Sequence, residues 1–170
     1  MISAVIPALH PIPALVDTLT ALVPAVAEGL IRDVAIAANT DTPFLSAVTE
    51  AGGSRLILAP GDRSALIRAA AAMVKCPHIL VLEPGMVPIG DWIASLGDAL
   101  VEIGGEKAGL IPVQSAPWLT WMAHITGRAD ARLGLVMSAM SLRGGERPRY
   151  MALDAVLADR RKRGLRPAAD

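Results

Sequence analysis

A single cysteine, Cys76, excludes an internal disulfide and cannot by itself build a cysteine-based metal site. It precedes Pro77 at an expected helix end, where a buried, inert thiol is the simplest role. Aromatic residues are scarce, 3% against 53% hydrophobic overall, so the core is to be built from Ala, Val, Leu, Ile and Met. An excess of either charge is missing as well. Sixteen basic and sixteen acidic side chains cancel, which leaves no global field to gather nucleic acid or an acidic membrane. The common phosphate loops do not occur: there is no G-x-x-x-x-G-K-[ST], and no G-x-G-x-x-G follows the first apolar run. Without H-E-x-x-H or a Cys/His cluster, zinc has no sequence support, and Ser3, Ser46 and Ser64 lack the G-x-S-x-G elbow of α/β hydrolases. Met1 to Val16 has no basic start and carries Pro7, Pro11 and Pro13, so no signal peptide is expected and a cytoplasmic location is. Ala108 to Gly127 has no formally charged residue and is long enough to span a bilayer. Pro112, Gln114, Ser115, Pro117, Thr120 and His124 break it, and it reads as a strand, a turn and a short helix.

What is present is organised around His78 to Leu96. The apolar run His78-Ile79-Leu80-Val81-Leu82 has the length and β-branched character of a strand buried on both faces. Glu83-Pro84-Gly85 breaks it, and Asp91 then precedes a helix marked by Trp92, Ile93, Leu96, Ala99, Leu100 and Ile103. An acid delivered to a tight loop at a strand's carboxyl end is where open α/β sheets place ligands. The expected strands elsewhere are 2–6, stopped by Pro7, then 33–38, 55–59, 108–112 and 133–137. The first helix starts at Pro13, buries Leu15, Leu19, Leu22 and Val26, and is to be kinked or ended by Pro24. Thr42-Pro43 opens a helix that stops at Gly52-Gly53, and Asp62 caps one running through Leu66, Ile67, Ala70, Met73 and Val74. Further helices are expected at 117–125 and 153–163. This alternation predicts a single α/β domain, a three-layer sandwich with a mostly parallel central sheet.

Three stretches carry a resemblance. VIPALHPIPALVDTLTALVPAVAEGLIRDVAIA is similar to the first half-domain of family 2 glycosyltransferases, which opens V-I-P-T-x-N-E. TEAGGSRLILAPGDRSALIRAAAA resembles that family's E-A-G-A-R-V-x-x-x-P-x-G-R-G-x-x-L-N-x-G. LVLEPGMVPIGDW lines up with its L-F-L-x-A-D-x-x-x-P-x-x-W. The match runs in pattern over residues 2 to 100; DARLGLVMS and YMALDAVLADRRKRGLRP extend it more loosely. The resemblance implies a GT-A-like fold of the nucleotide-diphospho-sugar transferase type, with 2–103 as nucleotide-binding half and 108–166 as acceptor-side half. It implies a nucleotide-sugar donor, an acceptor it does not identify, inverting transfer, and a divalent Mg²⁺ or Mn²⁺ ion.

By the same resemblance Pro7, Ala8, Ala38, Asn39, Arg63, Glu83 and Gly85 line the donor site, Glu83 is the metal ligand, and Asp154 is the general base. The chain departs from the pattern at several of these positions. Ala38 stands where the family holds the base with an Asp, and Gly85 where it has the metal Asp. The first turn reads Ala8-Leu9-His10-Pro11, and Arg68 and Ala70 replace a helix Asn and Gly. Each candidate also has a plainer role. Glu83 can cap its turn or pair with Arg63, and Asp154 can serve a helix dipole. His10 reads as a packed loop residue, and Asn39 and Asp41 as an Asx turn. Trp118 and Trp121 read as core or as a stacking surface for an acceptor sugar, and Met137 and Met140 as core. The basic run Arg160 to Arg166 is a solvated helix end or a peripheral membrane or phosphate contact. Two functions remain: a small transferase, or a non-catalytic relative that keeps the fold as a binding or partner module. A nucleotidyltransferase-like protein is weaker still, for want of a G-x-G-T-R-type opening loop.

Overall fold

The computed structural model describes residues 1–10, 13–102, 107–111, 113, 134–140 and 149–152. These form the strands β1 (Ile2–Ala8), β2 (Ile31–Ala38), β3 (Arg55–Leu58), β4 (His78–Val81), β5 (Lys107–Leu110), β6 (Leu135–Ser138) and β7 (Arg149–Ala152). The helices are α1 (Ala14–Ala27), α2 (Pro43–Ala51), α3 (Arg63–Met73) and α4 (Trp92–Glu102). One sheet contains all the strands in the order β3-β2-β1-β4-β6-β5-β7. β1 pairs in parallel with β2 and β4, β2 with β3, and β5 with β7, whereas β6 runs antiparallel to both β4 and β5. The fold is thus the expected α/β sandwich with a mostly parallel sheet.

The unbroken apolar runs follow from burial on both faces. Ile2, Ala4, Ile6 and Ala8 of β1, Ile36 and Ala38 of β2, and Leu80 with Leu82 pack with Leu15, Leu22, Leu45, Trp92 and Leu96 under α1, α2 and α4. The alternate residues Val5, Ala35, Ala37, Ile79 and Val81 pack with Leu66, Ile67, Ala70 and Ala71 of α3 on the other face. Fully burying one such Leu or Ile stabilises the fold by about 2 kcal/mol.

Several boundaries differ from the sequence expectation for identifiable reasons. β1 runs through Pro7 to Ala8. The Val5 carbonyl accepts from Leu82 N on the β4 side, and that ladder ends there. Pro7, two residues on, faces the same side, so its missing N–H costs no bond. α1 likewise continues past Pro24 to Ala27, because the proline lies on the exposed side within the last turn. Its buried stripe is Leu15, Thr18, Leu22 and Ala25, and Val26 is exposed. Met73, Met140 and His10 are exposed rather than packed, while Met137 and Cys76 are buried as expected. β7 was not anticipated. Thr42 and Asp62 do cap α2 and α3, accepting from Leu45 N at 3.2 Å and Ala65 N at 2.9 Å. The expected helices at 117–125 and 153–163 lie outside the described residues, as do Trp118, Trp121 and the basic run after Asp159. No helix among the described residues is long and apolar enough to cross a membrane.

Candidate functional site

Register gathers the predicted residues at one edge of the sheet. Ala8 ends β1 beside Ala38, which ends β2 beside Leu58 of β3. β4, the middle strand of the seven, pairs Val81 with Val5 and passes through Leu82 into Glu83 at the same edge. Pro7, Ala8 and Ala38 are buried and form an apolar floor; Asn39 is exposed just beyond it.

Two loops rise from this floor. Asn39 Nδ2 donates to the Gly61 carbonyl at 2.8 Å, tying the end of β2 to the loop that leads into α3. Asp41 accepts from Ser46 Oγ at 2.8 Å, so both side chains bond beyond the expected local Asx turn. Arg63, the first residue of α3, reaches across to Glu83, Nη2 to Oε1 at 2.5 Å. The pair is only partly exposed, 18% for Arg63 and 30% for Glu83.

The second loop is Glu83-Pro84-Gly85-Met86. Met86 N donates to the Glu83 carbonyl at 3.0 Å, and Gly85 has φ +90°. Proline at the second position and positive φ at the third are the type II β-turn pattern. A side chain at Gly85 would be strained by that φ, and its Cβ would stand 3.4 Å from Ala14 Cβ. The turn is clamped to α1 as well. Gly85 N donates to Thr18 Oγ1 at 2.8 Å and to the Ala14 carbonyl at 3.0 Å, and the Thr18 hydroxyl lies 3.3 Å from the Glu83 carbonyl. Thr18, fully buried, is the residue that sequence reasoning missed. Its signal was a hydroxyl on an otherwise apolar stripe between Leu15 and Leu22.

The opposite edge is built differently. There Ser3 donates to Asp33, Cys76 N donates to Ser3 Oγ at 3.3 Å, and Arg55 bridges Asp33 at 3.2 Å while donating to the Met73 carbonyl at 2.9 Å. This closed network ties β1, β2, β3 and α3 together. A groove of about 500 Å³ also opens on that side, where Met1 and Leu30 precede β1 and β2, with Glu28, Asp91 and Gly97 on its walls. Its location is at odds with the usual placement of ligands beyond the carboxyl ends of parallel strands. The converging charged and polar groups favour the Arg63–Glu83 edge. Asp154 lies outside the described residues.

Among solved structures, the fold is similar to glucosyl-3-phosphoglycerate synthase from Mycobacterium tuberculosis. Its complex with phosphoglyceric acid superimposes with a TM-score of 0.60 at 15% identity, covering 82% of this chain and 57% of that one. The complex with Mn²⁺ and uridine-diphosphate-glucose gives 0.57 at 12% identity, with 82% and 56% covered. The complex with Mg²⁺ and uridine-diphosphate gives 0.60 at 14%, with 82% and 57% covered. The chain therefore spans little more than half the length of these neighbours, and the likeness establishes a GT-A-type fold alone. No protein-family model and no curated protein sequence matches the chain.

Proposed function

We propose that this chain is a glycosyltransferase of the family 2 type, which binds a nucleotide-sugar donor at the carboxyl edge of β1, β2 and β4 and transfers the sugar to an acceptor hydroxyl. The Arg63–Glu83 pair carries the reading. It sits where the strand ends meet, in a fold shared with a synthase whose complexes contain uridine-diphosphate-glucose and phosphoglyceric acid. Residues 2–103 form the nucleotide-binding half on this reading, and 108–166 the acceptor side. Pro7, Ala8 and Ala38 provide the floor for the nucleoside with Asn39 at its rim, and Arg63 faces the diphosphate. Asp154 is the general base, a role that rests on the resemblance of its segment to the family pattern. It takes the acceptor's hydroxyl proton as the oxygen attacks the anomeric carbon; the bond from that carbon to the diphosphate oxygen breaks, and the diphosphate leaves with the electron pair.

Divalent ions accompany the nucleotide in several complexes of the neighbouring synthase, and the described residues do not fit one. No three His, Cys, Asp or Glu side chains among them converge on a common point. Gly85 offers no side-chain ligand, and the one carboxylate of the turn is already held by a guanidinium at 2.5 Å. A cation placed beside Glu83 would be repelled by Arg63, by about 4 kcal/mol per unit charge at a 4 Å separation near a protein surface.

Calorimetry with a panel of nucleotide diphosphates and nucleotide sugars, with and without Mn²⁺, tests the function. At least one is expected to bind in the micromolar range, and Arg63→Ala should weaken it. No heat with any of them under either condition would replace the enzyme reading with a non-catalytic binding module on the same fold.

A further inference from the structure

The charge that stands at the head of the β4 turn has the sign a metal would supply. Arg63 is set on a rigid base: its helix is capped by Asp62, and the loop before it is fixed to β2 by the Asn39–Gly61 hydrogen bond. Glu83 is set on another, the type II turn clamped by Thr18 and Ala14. Neither base depends on the ion pair, so the two side chains can part without either loop moving. We propose that this pair is a metal-independent receptor for a diphosphate, in which the Arg63 guanidinium binds phosphate oxygens and Glu83 is the counter-anion that the ligand displaces.

The chemistry is consistent at each position. Guanidinium is permanently charged, and its planar donors match phosphate oxygens two at a time. A mostly buried arginine needs an anion close by when no ligand is bound, and Glu83 provides one from 2.5 Å. Gly85 leaves no second carboxylate beside it, which without a metal would only repel a diphosphate. The inference rests on the donor reading above and adds that no divalent ion is required.

Four measurements on the full chain test it, and a fifth separates it from the donor reading. Mn²⁺ alone, followed by the loss of its free-ion electron paramagnetic resonance signal, is expected to show no specific binding at sub-millimolar concentrations. Inorganic pyrophosphate titrated in EDTA is expected to bind. Arg63→Met should weaken that binding about ten- to hundredfold, the loss of a charge-assisted hydrogen-bonded contact. Glu83→Gln should tighten it severalfold, because the competing anion is gone. The first two measurements use the unaltered protein and stand even if a variant misfolds. Stoichiometric Mn²⁺ binding, no pyrophosphate binding in EDTA, an unaffected Arg63→Met variant, or weaker binding by Glu83→Gln would each overturn the proposal. Uridine-diphosphate-glucose in EDTA is the separating arm. If pyrophosphate binds but no nucleotide sugar does, the receptor stands and the transferase reading falls. If nucleotide sugar binds only with Mn²⁺, the reverse holds.

Discussion

Gly85 is the residue on which the candidate site turns. It holds φ +90° in a turn whose amide bonds Thr18 and Ala14, and on the proposed reading it stands where a family 2 transferase would place a metal ligand. Gly85→Ala should destabilise the fold by about 1–2 kcal/mol, the cost of a Cβ in a left-handed conformation. Urea unfolding at constant slope is the check, and an unchanged midpoint would mean that the turn relaxes freely. At this scale the sequence was legible where chemistry is local. Pro84-Gly85 announced a turn, and Thr42 and Asp62 announced caps that the folded chain forms. Where a side chain's partner is remote, only the Arg63–Glu83 pairing was legible. Thr18 meets residues more than sixty positions away, and Asn39 reaches Gly61 rather than its own turn.

Among the elements, β4 is the one the others are built against, with β1 and β6 hydrogen-bonded on either side and core on both faces. Leu80→Ala should cost about 3 kcal/mol, whereas Val23→Ala on the exposed side of α1 should stay within about 0.5 kcal/mol. Comparable losses from the two, measured by denaturant unfolding, would contradict this assignment of the core. The same amphipathic logic made most elements readable from spacing alone. It failed where spacing underdetermines the answer. The fully buried α1 stripe passes through Thr18 and Ala25, with Leu19 packed partly against the core as expected and Val26 exposed instead. Pro7 and Pro24 looked like stops, yet Pro7 withholds its N–H where no ladder partner is required, and Pro24 gives up one bond to Thr20 on the exposed side of the last turn. β7 is a four-residue strand whose pairing with β5 comes from a distant segment, and no local pattern encodes it.

For the whole molecule, the balance of sixteen charges of each sign predicts that ligands are drawn by the local Arg63 rather than by a global field. The transferase reading makes a separable claim about Asp154. Asp154→Asn should leave donor binding intact while lowering transfer about a hundred- to ten-thousandfold, the usual contribution of a positioned general base. Calorimetry and a sugar-transfer assay on the same variant check both halves; undiminished transfer would remove Asp154 from the mechanism. The central claim is where the donor sits. Backbone amide chemical-shift mapping during a titration with uridine diphosphate tests it most directly. The amides of Ala8, Asn39, Gly61, Arg63, Glu83 and Gly85 should move together and saturate at one affinity. Shifts confined to Gly29, Leu30, Asp91 and Gly97 around the opposite groove, or none at all, would contradict it.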